Sequence, residues 1–228
     1  MKRYPSEATE RFDSANFHIK YCLHFLKKYL SGNILEVGAG CGSFTKNYYN
    51  KKIKEILLTE LDKKNLISLK SKFKNFKNIK VTNNNIKDIK GKFQTILYFH
   101  VLEHIKDDRK ELINARNKLK KNGHLIIIVP AGKKIYSNLD KAVGHYRRYE
   151  KKFFKRKLFN LNRVCFYFLD GLGYFLYFLN KLFFKKEVFP SKFKIFIWDK
   201  FFTPLTILFD FLTNYNFGKC ILVIYKKY

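Results

Sequence analysis

The stretch ILEVGAGCGSF, residues 34–44, packs three glycines into five positions directly behind an apolar run. An ordered glycine gives up more conformational freedom than any other residue, so a cluster needs a reason. Either the backbone path excludes a Cβ, or something must approach the chain closely. The apolar run reads as a short buried strand, and SFTKNYYNK after the glycines reads as a helix opened by a Ser or Thr cap. Strand, glycine turn and helix together open an α/β fold. In an open parallel sheet the ligand sits at the carboxyl ends of the strands, where the strand order reverses.

The rest of the chain repeats the pattern. A helix is expected over 17–30, then short apolar runs at 33–37, 55–59, 79–82, 93–99 and 124–130, with helix-like stretches at 63–73 and about 107–120 between them. Buried strands alternating with helices describe a doubly wound, mostly parallel sheet covered on both faces. Residues 131–150 are polar and loop-like, 153–213 are rich in Phe, Tyr, Leu and Lys, and KCILVIYKK at 219–227 reads as a strand returning to the sheet. The expectation is a single domain: a core over 17–150, an aromatic and Lys-rich helical lobe over 151–218, and a closing strand over 219–227.

The glycine spacing restricts the ligand. A dinucleotide site wants G-x-G-x-x-G with a helix N-terminus aimed at a pyrophosphate, whereas Gly38, Gly40 and Gly42 are spaced G-x-G-x-G behind the acidic Glu36, which disfavours a phosphate. A carboxylate at the end of the second strand can accept hydrogen bonds from both hydroxyls of a ribose. Glu60 in LLTELD lies about 20 residues beyond the glycines, as that role requires, with Asp62 as the alternative. A nucleoside without phosphate is the ligand these residues fit.

Four segments in order, LEVGAGCG, LLTELD, YFHVLEHIKDD and LKKNGHLIIIVPA, resemble the motifs of the class I S-adenosylmethionine-dependent methyltransferases, in their type 11 and type 23 branches. The resemblance covers roughly residues 17–150. It implies a Rossmann-like, seven-stranded sheet with an antiparallel last strand and a C-terminal helical insertion. It also implies S-adenosylmethionine as cofactor. Glu36, Gly38, Ala39, Gly40 and Gly42 would surround its methionine part, Glu60 and Leu61 its ribose, and Asn85 with Ile86 its adenine, Asp88 competing for the last role; His100 would approach from the end of the fourth strand.

A methyl sulfonium needs chiefly alignment with its nucleophile, which is worth up to ~7–11 kcal/mol. An oxygen nucleophile also needs a base, and histidine suits neutral pH. His100, His104 and His145 are the candidates, with Glu103 beside them; for His104 a structural role as cap of the following helix competes. His145 stands in GHYRRY, similar to a G-H-x-R-R-Y segment of many type 11 relatives. Tyr146, Arg147 and Arg148 there would hold a phosphate or carboxylate of the acceptor, unless an arginine pairs with an internal carboxylate such as Asp140. The place after the fourth strand reads Tyr98-Phe99-His100-Val101, without the Asn-Pro-Pro-Tyr type motif of the family's adenine-N6 and glutamine methylators or a nucleophilic Cys of its cytosine-C5 branch, so base methylation is demoted.

A formal net charge of +29 attracts nucleic acid, anionic lipid or phosphorylated substrates, or it reflects a genome that favours Lys throughout. The tail's aromatic, Lys-flanked runs suit either an interfacial helix on anionic lipid or an apolar lid over the acceptor pocket, and are too apolar for a nucleic-acid surface. Residues 164–184 come closest to a membrane span but are broken by Asp170, Asn180, Lys181 and two glycines. Cys22, Cys41, Cys165 and Cys220 form no C-x-x-C pair, so neither a disulfide framework nor a zinc site is expected, and the N-terminus carries no secretory pattern. The expected protein is a cytoplasmic methyltransferase, peripheral at the inner membrane face if the tail binds lipid. Its acceptor is an oxygen or nitrogen of a small molecule, sugar or lipid-linked compound. The alternatives are a non-catalytic RNA- or membrane-associated protein of the same fold and a nicotinamide-dependent oxidoreductase.

Overall fold

The computed structural model describes residues 14–183 and 190–228. Its sheet grows from β1 (Gly32–Val37), where Ile34 and Leu35 are fully buried toward opposite faces, as a central strand requires. β1 pairs in parallel with β2 (Ile53–Thr59) on one side and β4 (Phe93–Phe99) on the other; β3 (Ile79–Thr82) extends the first side and β5 (Leu119–Pro130) the second. β8 (Cys220–Lys226) runs antiparallel to β5, and β7 (Leu161–Leu169) and β6 (Lys157–Leu158) complete the order β3-β2-β1-β4-β5-β8-β7-β6. The order reverses between β1 and β4, so the crevice at their carboxyl ends is the place for a ligand.

Helices α1 (Asn16–His24), α2 (Ser43–Tyr48), α3 (Lys63–Phe73) and α4 (Asp108–Lys118) flank the sheet, and α5 (Asn138–Ala142) follows β5. One apolar layer gathers Leu26, Ile56 and Leu69, the other Ile96, Leu112 and Ile127. Asp62 caps α3 by accepting from the N–H groups of Lys64 and Asn65, and Asp107 caps α4 by accepting from that of Lys110.

The structure corrects four expectations. Among the described residues the sheet has eight strands, not seven. The extra pair comes from inside the supposed helical lobe, because β7, LNRVCFYFL, carries three consecutive aromatic residues, Phe166, Tyr167 and Phe168, and its run Val164–Leu169 is apolar at every position, which hides its alternation. α-Helical structure begins there only with α6 (Gly171–Phe183), so of the expected stretch 164–184 the described residues, up to 183, are divided between strand and helix; among the described residues no helix is long and apolar enough to cross a membrane. α2 has no Ser or Thr cap, since Gly42 occupies that position in the left-handed region at φ 76°. His104 caps nothing at α4, whose N-terminus Asp107 holds.

Beyond α6 come α7 (Lys192–Ile197), a π-helical turn at Trp198–Phe202, and α8 (Thr203–Leu212). Buried carboxylates pin these to α1. The α1 N-terminus has no local side-chain cap, and Asp199 accepts instead from the N–H groups of Phe17 (3.2 Å) and His18 (2.9 Å). Asp210 accepts from the Tyr21 hydroxyl (2.7 Å) and from the N–H groups of Asp170 (2.7 Å) and Gly171 (2.8 Å).

Candidate active site

The turn after β1 runs through Gly38, Gly40 and Gly42, all at positive φ (68°, 56° and 76°). At two of these glycines the need is internal. A Cβ on Gly38 would come within 2.7 Å of Val101 Cγ2, and one on Gly42 within 2.5 Å of Phe73 Cε2. The bend packs close against α3 and the β4 loop, and this holds Gly38, Ala39, Gly40 and Cys41 along the wall of a cavity of about 670 Å³.

Glu60, just past β2, lines the same cavity. Its Oε2 accepts from the Gly40 N–H and its Oε1 from the Asp62 N–H, both at 2.8 Å, so the carboxylate is aimed before any ligand arrives. Burial raises its pKa while those N–H groups oppose the rise. Two carboxylate oxygens offer about four acceptor positions, which leaves room for two ribose hydroxyls. Gly38, Ala39, Gly40, Glu60 and His100 line one cavity together.

Five expected cofactor residues are not on the cavity wall. Glu36 is 2% exposed; its Oε2 accepts from the Thr45 and Tyr48 hydroxyls, each at 2.7 Å, tying β1 to α2. Burial pushes its carboxyl up to about 7 against those two bonds, so it is a poor source of the charge expected to repel phosphate. Gly42 faces Phe73 and Leu69, Ile86 is buried in the core, and Leu61 and Asn85 are exposed. Asp88 closes a short 3-10 turn, Ile86–Asp88, and is exposed. Asp62, the alternative to Glu60, is taken up as the α3 cap.

The three candidate histidines converge on Glu103. His100 follows β4 at φ 56°, a conformation rare outside glycine, and its Nδ1 lies 3.7 Å from Glu103 Oε1. His145 Nε2 lies 3.8 Å from the same oxygen, and the His104 and His145 ring centroids are 4.7 Å apart. Burial lowers His104 to about 4. Burial works against ionisation of Glu103, yet the surrounding histidines outweigh it and hold its carboxyl below the usual range. His145 Nδ1 is 2.7 Å from Asp140 Oδ1.

The GHYRRY loop is organised inward. Arg148 Nε donates to Asp140 Oδ1 at 2.8 Å, and its guanidinium lies 4.4 Å from the Tyr177 ring centroid. Arg147 pairs with Asp108 (2.5 Å) and donates to the Lys106 carbonyl. The expected acceptor role of Tyr146, Arg147 and Arg148 is thus replaced, for both arginines, by pairing with an internal carboxylate; only Arg148 reaches the cavity, and Tyr146 gives its N–H to the Glu103 carbonyl. The opposite wall is built by Leu176 and Tyr177 of α6, Ile195 of α7, and Trp198 and Phe202 of the π turn; the sequence offered an apolar lid as one of two readings of the tail but named none of these residues. The only signal for it was the apolar character of the tail.

A family model described as a methyltransferase domain (Methyltransf_23) matches residues 14–166. Among curated proteins, no sequence matches. Solved structures with the same fold include the N-methyltransferase NodS from Bradyrhizobium japonicum WM9 in complex with S-adenosyl-L-homocysteine (15% identity, TM-score 0.59, covering 92% of this chain and 85% of that one). A second is coclaurine N-methyltransferase bound to N-methylheliamine and S-adenosyl-L-homocysteine (15% identity, TM-score 0.61, 92% and 72%). A third is the YcgJ protein from Bacillus subtilis (14% identity, TM-score 0.61, 91% and 98%).

Proposed function

Since the chain belongs to the methyltransferase-domain family and is an enzyme that uses S-adenosylmethionine, we propose that it methylates an oxygen or nitrogen of an apolar, lipid-linked or similarly greasy small acceptor. The cofactor supplies an electrophilic methyl group on a sulfonium; the chain supplies position. Gly38, Ala39 and Gly40 offer a backbone surface without bulky side chains, and Glu60 receives the ribose hydroxyls. Exclusion of water falls to the apolar wall of α6, α7 and the π turn, which keeps nucleophile and methyl carbon aligned.

The observation that carries the proposal is this cavity wall: the glycine turn and the histidine cluster share one space with Leu176, Ile195, Trp198 and Phe202. Such a wall favours an apolar acceptor body and gives a free phosphate little to bind. Relatives of this fold named as N-methyltransferases keep nitrogen beside oxygen as the acceptor atom.

The outer face of α7 and of the neighbouring α8 supports a position on anionic lipid. Phe196 (52% exposed), Phe211 (65%) and Leu212 (72%) are exposed, as are Lys192 and Lys200, on a chain of formal charge +29. Rings at headgroup depth flanked by lysines match an interfacial surface. An acceptor drawn from lipid would then enter a cavity walled in part by α7.

Radiolabelled methyl transfer to cell extract, fractionated into lipid, glycan and RNA, tests the proposal. Label is expected in lipid or lipid-linked material. Label confined to RNA would overturn the acceptor class, and absent label beside tight S-adenosylhomocysteine binding would favour the non-catalytic reading.

A further inference from the structure

Glu103 is fully buried, and neither of its carboxylate oxygens has a hydrogen-bond partner in the structure. A lone buried carboxylate is costly unless something compensates its charge. The nearest imidazole nitrogens, His100 Nδ1 at 3.7 Å and His145 Nε2 at 3.8 Å, are too far for hydrogen bonds. They are close enough for an ion to sit between. An oxygen and a nitrogen each about 2.0–2.2 Å from one metal stand no more than roughly 4.4 Å apart.

The protonation pattern agrees. Asp140 accepts from Arg148 Nε (2.8 Å), the Ser137 N–H (2.9 Å) and the Tyr177 hydroxyl (2.9 Å), so it faces His145 Nδ1 as an acceptor and takes that nitrogen's proton in a 2.7 Å hydrogen bond. In the neutral ring the lone pair then belongs to Nε2, the nitrogen turned toward Glu103. A carboxylate behind a histidine, fixing its tautomer and orientation, is the arrangement that supports a metal-ligating imidazole. His104 completes the group: its ring hydrogen-bonds to the Gly144 backbone, and one donor atom each from Glu103, His104 and His145 lie within 4.8 Å of one another. All three residues line the cavity.

We propose that Glu103, His104 and His145 form a binding site for one divalent transition-metal ion, with an open coordination position toward the cavity for an oxygen or nitrogen of the acceptor. Two imidazoles and one carboxylate suit zinc, manganese or ferrous iron and disfavour magnesium, which prefers oxygen ligands. At tetrahedral angles donors about 2.0–2.2 Å from one metal stand roughly 3.4 Å apart, so closing the widest pair, at most 4.8 Å, takes side-chain movement of up to about 1.4 Å shared between two rotatable side chains. His100, on the other side of Glu103, also belongs to a second triplet with His18 and Cys220. That triplet is the weaker one. Its thiol is protonated under ordinary conditions, since burial raises Cys220 to about 12, and His18 Nε2 is engaged 3.6 Å from Cys22 Sγ.

For its purpose, though not for ion binding itself, the inference rests on the acceptor reading above. The full chain is stripped with a chelator, titrated with Zn²⁺ by calorimetry and assayed for bound metal after gel filtration, with S-adenosylhomocysteine binding measured on the same samples. One zinc per chain is expected. Glu103→Gln and His145→Ala should each lose at least a hundredfold in zinc affinity, Asp140→Asn about 10–100-fold as a positioning residue, and Cys220→Ser nothing, while S-adenosylhomocysteine still binds to Glu103→Gln.

Absence of stoichiometric zinc in a wild-type chain that binds S-adenosylhomocysteine would overturn the site and leave the methyltransferase reading standing. Unchanged zinc affinity in Glu103→Gln, or its loss in Cys220→Ser alone, would overturn the assignment of ligands. If the variants do not fold, the wild-type Co²⁺ complex decides: hyperfine-shifted imidazole N–H resonances from two histidines support the site, and none refutes it.

Discussion

Glu60 and Glu36, both acidic and both next to the turn, illustrate how environment divides similar residues. Glu60 keeps its carboxylate at the cavity wall between two backbone N–H groups, whereas Glu36 turns inward to two hydroxyls. Glu60→Ala removes a charged hydrogen-bond acceptor worth about 1.5–3 kcal/mol, so S-adenosylhomocysteine affinity should fall more than tenfold by calorimetry; an unchanged Kd would remove Glu60 from the site. Glu36 acts through pH. Its folded-state pKa of about 7 lies above the 4.5 of an ordinary glutamate, so the stability it contributes is complete below about 4.5 and is lost as pH rises to 7. The difference amounts to roughly 3 kcal/mol. Glu36→Gln does not titrate, so its unfolding free energy relative to wild type should rise by about that amount between pH 4.5 and 8 in urea melts. A flat difference would contradict the burial argument. The positions of Glu60 and the glycines were legible because their spacing along the chain is dictated by the strand-turn-strand geometry. The pairing of an arginine with Asp140 stood only as an alternative, and that of Arg147 with Asp108 was not legible at all, because a partner 39 residues away leaves no periodic trace.

Among the elements, those with clean periodicity and local caps were read closely. α3 spans Lys63–Phe73, β3 Ile79–Thr82 and β4 Phe93–Phe99, matching the sequence reading. β7 escaped because most of its residues are half-buried and both of its faces carry aromatic rings, which removes the alternation that marks a strand. The lobe helices carry the element-scale prediction. Phe196 and Phe211 are largely exposed and lie outside the cavity lining, so the double variant Phe196→Glu, Phe211→Glu should leave the thermal midpoint within about 2 °C. Its sedimentation with vesicles rich in phosphatidylserine should weaken at least tenfold, since each buried ring is worth about 1.5–3 kcal/mol. Equal sedimentation of variant and wild type would leave that face without a lipid role.

At the scale of the whole molecule, lobe and core share buried polar anchors. Asp199 serves the start of α1 from α7's side, and Asp210 joins α1, α8 and the β7–α6 junction. Removing one partner of a buried, hydrogen-bonded carboxylate leaves the others unpaired, at about 1–3 kcal/mol or more. Asp210→Ala should therefore lower the midpoint for core and lobe in a single transition, seen as coincident loss of far-ultraviolet dichroism and Trp198 fluorescence. Two separate transitions would mean that the lobe melts independently. These anchors bridge residues nearly 190 positions apart, beyond the reach of any local sequence pattern, which is why a packed lobe and a free amphipathic tail could not be separated from sequence.

The place of β8 has a consequence for how the chain is assembled. It lies between β5 and β7, yet residues 170–219 intervene before it. Until it arrives, two strand edges wait apart with their amides unmatched, a state prone to adhering to neighbouring molecules. The sheet is therefore continuous only once its last strand in sequence has been inserted between two others, which makes the closing of the fold a long-range event.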